Sequence, residues 1–369
     1  MAARPATRRP APKAPPAPSA AAKAPVRDFA ATSAFTIEWD VRPVYDFLFS
    51  LSEDAGQTDD LPAADRAWLK DTRAALPADQ AAHVESVRHS EIAIHIASYA
   101  VQHPELRTVD DFLASIDGVE TATFLRAVLT DFLTDEMTSE LFDRCAHGDA
   151  EALAALRKAM PEYKTAFDTL LADPVAAHRH IAGALHAWAN AFRPIEGRIT
   201  AILERDFAGR AADRATLGNS ELIEQTTNGI RWLPEVAVKR VILAPSYFSR
   251  PYNYLLAGEG WRFFGYPVSD DALEADDRLA PPLGVVRLHR ALGDETRLRI
   301  LKLLSARDLY LTEIAQQLDL SKPTIKHHLA ILRSAGLVTI VEAGSVIYYS
   351  LRRGRVDDAS SELAAFLTP

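Results

Sequence analysis

A chain of 369 residues has room for two or three domains of ordinary size. With 48% apolar and 25% charged residues and no run of 18 or more apolar residues, the composition is that of a water-soluble globular protein and excludes a membrane-spanning helix. The net charge of −9 is unevenly spread: residues 1–27 hold six basic residues and no acid, residues 285–355 hold twelve Lys/Arg against six Asp/Glu, and residues 28–284 carry a net −18. The basic ends are candidates for nucleic acid and the acidic body is not.

Residues 1–34 are Ala/Pro-rich and basic. They have little to bury and are expected to be a disordered tail, with no apolar stretch that would make a secretory signal. A cytoplasmic location follows as the expectation. From 35 to 282 the pattern is mostly helical. Ala-rich amphipathic stretches recur at 43–52, 63–75, 79–101, 109–116, 120–133, 149–159 and 161–171. Thr108 reads as an N-cap with acids in the following turn. Asp173-Pro174 opens a long helix, which Pro194 is expected to kink or split. After Trp232 come short β-branched or aromatic runs at 240–244, 252–256 and 261–266. They predict a small antiparallel meander over about 239–267. An acidic, then proline-rich stretch from Asp270 to Pro282 reads as a linker.

Beyond Leu283 the elements interlock. Asp294 caps a helix with Leu298, Ile300, Leu301, Leu303 and Leu304 on a wide buried face. A short helix follows at 311–318, with Ile314, Ala315 and Leu318 on one side. Ser321 caps a third helix, with Pro323 in its first turn. Ile325, Leu329 and Leu332 form its inner face and Gly336 its left-handed stop. Runs at 338–342 and 346–351 flank Ala343-Gly344-Ser345 as a hairpin. Donors at the N-terminal end of a second helix are what a major-groove reader needs. The candidate DNA contacts are Ser321, Lys322, Thr324, Lys326 and His327, with Arg333, Arg352 and the wing on the backbone. Arg353 and Arg355 are further phosphate candidates.

Leu292–Leu301, Leu311–Ala315 and Ser321–Val338 resemble, in order and spacing, the ArsR-type repressors. That resemblance implies a winged helix-turn-helix over 283–369 with a C-terminal helix, and a homodimer on a pseudo-palindromic operator. The family's metal sensors carry cysteines in the helix before the recognition helix. Tyr310 and Thr312 stand there instead. Asp357, Asp358 and Glu362 in the last helix lack a histidine partner, so no metal is expected at either place. Phe35–Glu38, the Ala-rich body and Val241–Phe248 resemble the long N-terminal domain of some ArsR-type regulators from actinobacteria.

No other constellation carries chemistry. His83, His89 and His95 recur at intervals of six and do not share a helical face; of His178, His180 and His186 only the first and last can do so. Gly258-Glu-Gly260 opens no helix, and no Gly-x-Ser-x-Gly elbow exists. The single cysteine, Cys145, beside Arg144 and His147, is a buried apolar residue or a redox sensor. The aromatic group Tyr247, Phe248, Tyr252, Tyr254, Trp261, Phe263, Phe264 and Tyr266 is core or the wall of an apolar pocket.

The fold expected is mainly α with small antiparallel β elements, a helical N-terminal domain followed by the winged helix. The function expected is a dimeric repressor binding double-stranded DNA, with the acidic body away from the DNA and sensing a non-metal signal such as a small-molecule effector. No catalytic residue, cofactor or metal is assigned. The alternative is an enzymatic or protein-recruiting body joined to the same DNA-binding domain.

Overall fold

The computed structural model describes residues 35–160, 167–273, 281–343 and 346–368. The Ala/Pro-rich tail, most of the expected linker and the tip of the hairpin lie outside the described residues.

Strand β1 (Thr36–Trp39) leads into α1 (Pro43–Phe49), every residue of which is buried. Helices α2 (Ala63–Ala75), α3 (Ala78–His89) and α4 (Ile92–Gln102) follow. The stretch expected as one helix over 79–101 is broken at Glu91, which takes a left-handed φ of 54°. The break turns α4 inward, where Ala93, Ile96, Ala97 and Ala100 are fully buried. Next come α5 (Val109–Gly118), α6 (Thr121–Val128), α7 (Ser139–Ala146), α8 (Ala150–Ala159) and α9 (Asp168–Ala172). Thr108 caps α5 as expected: its hydroxyl accepts from Asp111 N, and Asp111 accepts from Thr108 N, both at 3.1 Å.

Helix α10 (Pro174–Gly209) is the spine of the body. Asp173 accepts from Ala176 N at 2.9 Å, and Pro174 sits where its missing N–H costs nothing. The helix runs unbroken through Pro194, so the expected split does not occur. Trp188, Phe192, Ile199 and Leu203 are all fully buried on either side of the proline, and that packing outweighs one lost backbone hydrogen bond. Short helices α11 (Ala211–Thr216) and α12 (Asn219–Thr226) lead to β2 (Ile230–Trp232).

Strands β3 (Arg240–Ser246), β4 (Tyr254–Gly258) and β5 (Trp261–Pro267) join β1 in one sheet of order β1-β3-β5-β4. Only β4–β5 is antiparallel; β1–β3 and β3–β5 are parallel. The expected meander is therefore corrected to a mixed sheet. Continuous burial along β3 and β5 explains it, because both faces of the sheet are covered. Ile242, Ala244 and Phe263 face the helical core. Val241, Leu243, Phe264 and Tyr266 face a second cluster with Ile230, Trp232 and, from the C-terminal part, Ile340.

The C-terminal part consists of α13 (Leu283–Leu292), α14 (Glu295–Leu304), α15 (Leu311–Leu318), α16 (Lys322–Ser334), β6 (Val338–Ala343), β7 (Val346–Leu351) and α17 (Arg353–Leu367). It has its own core, built on Leu288, Ile300, Ile314, Ile325, Leu329 and Leu332. Leu298, expected on the buried face of α14, is 49% exposed, because α14 packs through the Ile300, Leu301 and Leu304 side.

Asp46 on α1 is fully buried. Its Oδ1 accepts from Ser246 Oγ, Tyr247 N and Phe248 N at 3.0, 2.8 and 2.7 Å, tying α1 to the turn after β3, while Oδ2 has no partner. Burial pushes its pKa up to about 7, against the pull of those three donors. Between about pH 4 and pH 7 the folded chain thus holds a proton that the unfolded chain has lost. This group's contribution to stability is full below that window and falls by up to about 1.4 kcal/mol per pH unit across it. Asp46→Asn should flatten this part of the profile. Its melting temperature should drop less than wild type's between pH 5 and pH 8, and parallel curves would refute the assignment.

Candidate nucleic-acid interface

Local chemistry positions α16. Asp294 caps α14, accepting from Arg297 N at 2.9 Å. Asp319, left-handed at φ 54°, ends α15 and turns the chain. Ser321 then caps α16, accepting from Thr324 N at 3.3 Å. Burial of Ile325, Leu329 and Leu332 fixes the rotation of α16. Gly336 closes it at φ +73°, a backbone that a side chain would strain.

With that rotation Ser321, Lys322, Thr324, Lys326 and His327 are all exposed together on the N-terminal half of α16. Two cations, two hydroxyls and an imidazole at a helix start can reach base edges and phosphates. The other candidates lie apart from them. Arg333 is half-buried in a cleft beside Tyr252 and Tyr349, its Nε has no hydrogen-bond partner, and burial lowers its pKa. Arg352 is half-buried after the hairpin, 3.5 Å from Asn228 Oδ1. Arg353 donates to Ser305 O at 2.5 Å and Arg355 pairs with Glu362. His328 packs toward Asp294 at 3.8 Å, and desolvation lowers its pKa.

The wing hairpin is formed, with β6 antiparallel to β7 from Val338↔Leu351 to Ala343↔Val346. The outer edge of β6 is not free. β2 of the body pairs with it in parallel, Ile230 opposite Ile340. Asn228-Gly229 makes the turn before β2 with φ of 54° and 104°. Asn228 Nδ2 donates to Arg333 O and Ser334 O at 3.2 and 3.3 Å, capping the recognition helix from the body. The sequence reading missed β2 and Asn228. The Asn-Gly pair is a turn signal, but nothing local points to a partner more than a hundred residues away.

The acidic body, expected to stand apart, lies against this helix. A cleft of about 390 Å³ separates Lys326 and Arg333 from Asp54, Glu91 and Tyr252. A second, of about 330 Å³, runs between His327 and Ile331 on one side and Asp59 and Asp60 on the other. Arg290 pairs with Asp59 at 2.6 Å, and Arg287 pairs with Asp60 and, at 3.0 Å, with Asp270. Asp270, expected in the linker, thus belongs to the junction.

The remaining candidates are structural. His178 stacks on Phe124 at 4.2 Å and bonds Ile116 O at 3.0 Å, and burial lowers its pKa. Cys145 is buried, with its pKa raised to about 11 chiefly by desolvation, which opposes thiolate chemistry. Tyr247, Tyr254 and Tyr266 are buried core residues whose hydroxyls bond Asp65, Ser52 and Asp206. Among the described residues no group of three or more His, Cys, Asp or Glu could hold a metal ion, and no helix is long and apolar enough to cross a membrane.

The profile of the bacterial regulatory protein arsR family matches residues 294–339, from the cap of α14 into β6. The transcriptional repressor SdpR of Bacillus subtilis (strain 168) is 37% identical over 78 residues, 21% of this chain and 87% of that repressor. The cadmium resistance transcriptional regulatory protein CadC homolog of Staphylococcus aureus is 34% identical over 71 residues, and the arsenical resistance operon repressor of Escherichia coli (strain K12) 40% over 67. The chain spans 59% and 57% of the lengths of those two.

Proposed function

This chain belongs to the arsR family of bacterial regulatory proteins, and from that premise we propose that it acts in the cytoplasm as a dimeric repressor whose N-terminal body senses a non-metal signal. The observation that carries the DNA half is the exposed start of α16, where Lys322, Thr324, Lys326 and His327 converge beside the Ser321 cap. Dimerisation is supported by exposed apolar side chains: Leu298 on α14, and Val356, Phe366 and Leu367 on α17. Two copies would place two α16 helices on half-sites about 10 bp apart.

The sensing half is supported by a cavity of about 430 Å³ at the junction. Arg210 and Arg250 of the body line it together with Arg287, Arg352 and Arg355 of the C-terminal part, so a molecule held there would touch both. A sensor is favoured over an enzyme because Asp46, a carboxylate pushed up to about 7, is fully buried in the core and lines none of the clefts described above.

Selection of random duplex DNA by the full chain tests this reading. It should enrich an inverted repeat with half-sites about one helical turn apart, bound by two chains. Affinity should fall with salt, on a log–log slope set by the number of phosphates contacted. Recovery of no preferred sequence would refute the specific repressor.

A further inference from the structure

The helix that carries the exposed Lys326 and His327 is covered at its C-terminal end and flanked by acids along its exposed half. Ile325, Leu329 and Leu332 define its inner face. At about 100° per residue the opposite direction runs through Pro323, His327, Ala330 and Ser334. Ser334 should therefore be among the most exposed residues of an unobstructed α16, yet it is only 7% exposed. Helix α13 and the body share that cover: Leu283, Val286 and Arg287 line the cleft beside Ser334, and Asn228 of the body reaches the carbonyls of Arg333 and Ser334.

The N-terminal half of α16 is exposed but flanked. A major groove is about 8.5 Å deep and about 12 Å wide, bounded on both sides by phosphates, so a helix entering it needs both flanks clear over that depth. Here Asp54 and Glu91 stand on one flank, and Asp59 and Asp60 on the other, each across a cleft too small for a duplex. The loop from Glu53 to Asp60 has four acids in eight residues. The geometry thus places carboxylates where an operator would place phosphates.

Besides the Asn228 cap, three further attachments hold this arrangement among the described residues. β2 pairs with β6, Arg290 with Asp59, and Arg287 with both Asp60 and Asp270. Lys326 and Arg333 add to it electrostatically, since both favour the ionised form of Asp54 against the burial that raises its pKa.

We infer that the body holds the recognition helix in a closed state, with the acidic Glu53–Asp60 loop and Glu91 in the place of the DNA backbone, and that operator binding requires this contact to open. The inference rests on α16 being the DNA reader. It adds a competition within one chain: the same Lys326 face serves the body or the DNA, not both. Any signal that loosens or tightens the junction then changes DNA affinity without touching a DNA contact.

The test uses the full chain and a fluorescently labelled mixed-sequence duplex at low ionic strength, so it needs no known operator. Two variants open the clefts, Asp59→Asn with Asp60→Asn, and Asp54→Asn with Glu91→Gln. A control, Asp135→Asn with Glu136→Gln, removes as much negative charge outside both clefts. The expected result is about tenfold or greater tightening in both cleft variants relative to the control, cancelled when Lys326→Ala is added. Hydrogen exchange should speed up at the backbone amides of 326–334 in the same variants. Cleft variants that bind no tighter than the control while wild type binds, or an unchanged exchange pattern, would overturn the closed state and leave DNA binding standing. If wild type, cleft variants and control all fail to bind any duplex, the DNA reading of α16 falls, and the closed state with it. If the Asp59/Asp60 variant melts early, the Asp54/Glu91 pair decides, since neither residue takes part in the Arg287 and Arg290 ion pairs.

Discussion

Replacing Lys326 and His327 together by alanine should weaken operator binding ~30-fold or more, with the fold intact. Each side chain in productive contact with a base edge is worth about 1–3 kcal/mol, and a phosphate-bound lysine also contributes about one unit to the salt slope. Both residues are exposed and lie off the Ile325–Leu329–Leu332 face, so their removal should move stability by no more than about 0.5 kcal/mol. Fluorescence anisotropy against the selected operator, with thermal unfolding in parallel, separates the two effects. Unchanged affinity would remove α16 as the reading helix. Arg333→Ala should behave differently, because its guanidinium sits in the cleft beside Tyr252 rather than on the exposed face.

Replacing Trp188 by alanine should cost about 3–5 kcal/mol, a large share of the roughly 5–15 kcal/mol that holds a domain folded. The indole is fully buried on α10, its ring 5.8 Å from that of Trp68, and its Nε1 donates to Ser50 Oγ at 2.8 Å at the end of α1. Truncation leaves a cavity where α1, α2 and α10 meet and removes the donor to Ser50. At about 2–4 °C per kcal/mol for a domain of this size, melting should fall by roughly 10 °C. Trp188→Phe, which keeps much of the volume and loses only the N–H, should lose less than half as much. A shift below about 2 °C for the alanine variant would show that α10 is not the spine of the body.

Legibility followed the range of the interactions. Asp294, Thr108, Asp173 and Ser321 were readable as caps because a cap is made within three residues of itself. The inner face of α16 was readable from spacing alone, and with it the exposed set Ser321, Lys322, Thr324, Lys326 and His327. Arg333 and Arg352 were not placed by that logic. A cation at a helix end or after a strand looks the same whether it meets phosphate, a tyrosine ring or an asparagine. The sheet was misjudged for a related reason. Three short apolar runs separated by turns fit a meander, and only the covering of both faces makes β1, β3 and β5 parallel.

The sequence by itself determined the winged helix, its caps, the exposed face of α16 and the division of charge between a basic module and an acidic body. These rest on periodicity, capping and composition, which are local or additive along the chain. The tertiary structure alone decided where the acid lies. Asp54, Asp59 and Asp60 come to face α16 because β2 pairs with β6 and because Arg287 and Arg290 meet the loop before α2. Those contacts join residues more than a hundred positions apart. No local pattern encodes them, because each depends on which surfaces the folded chain brings together.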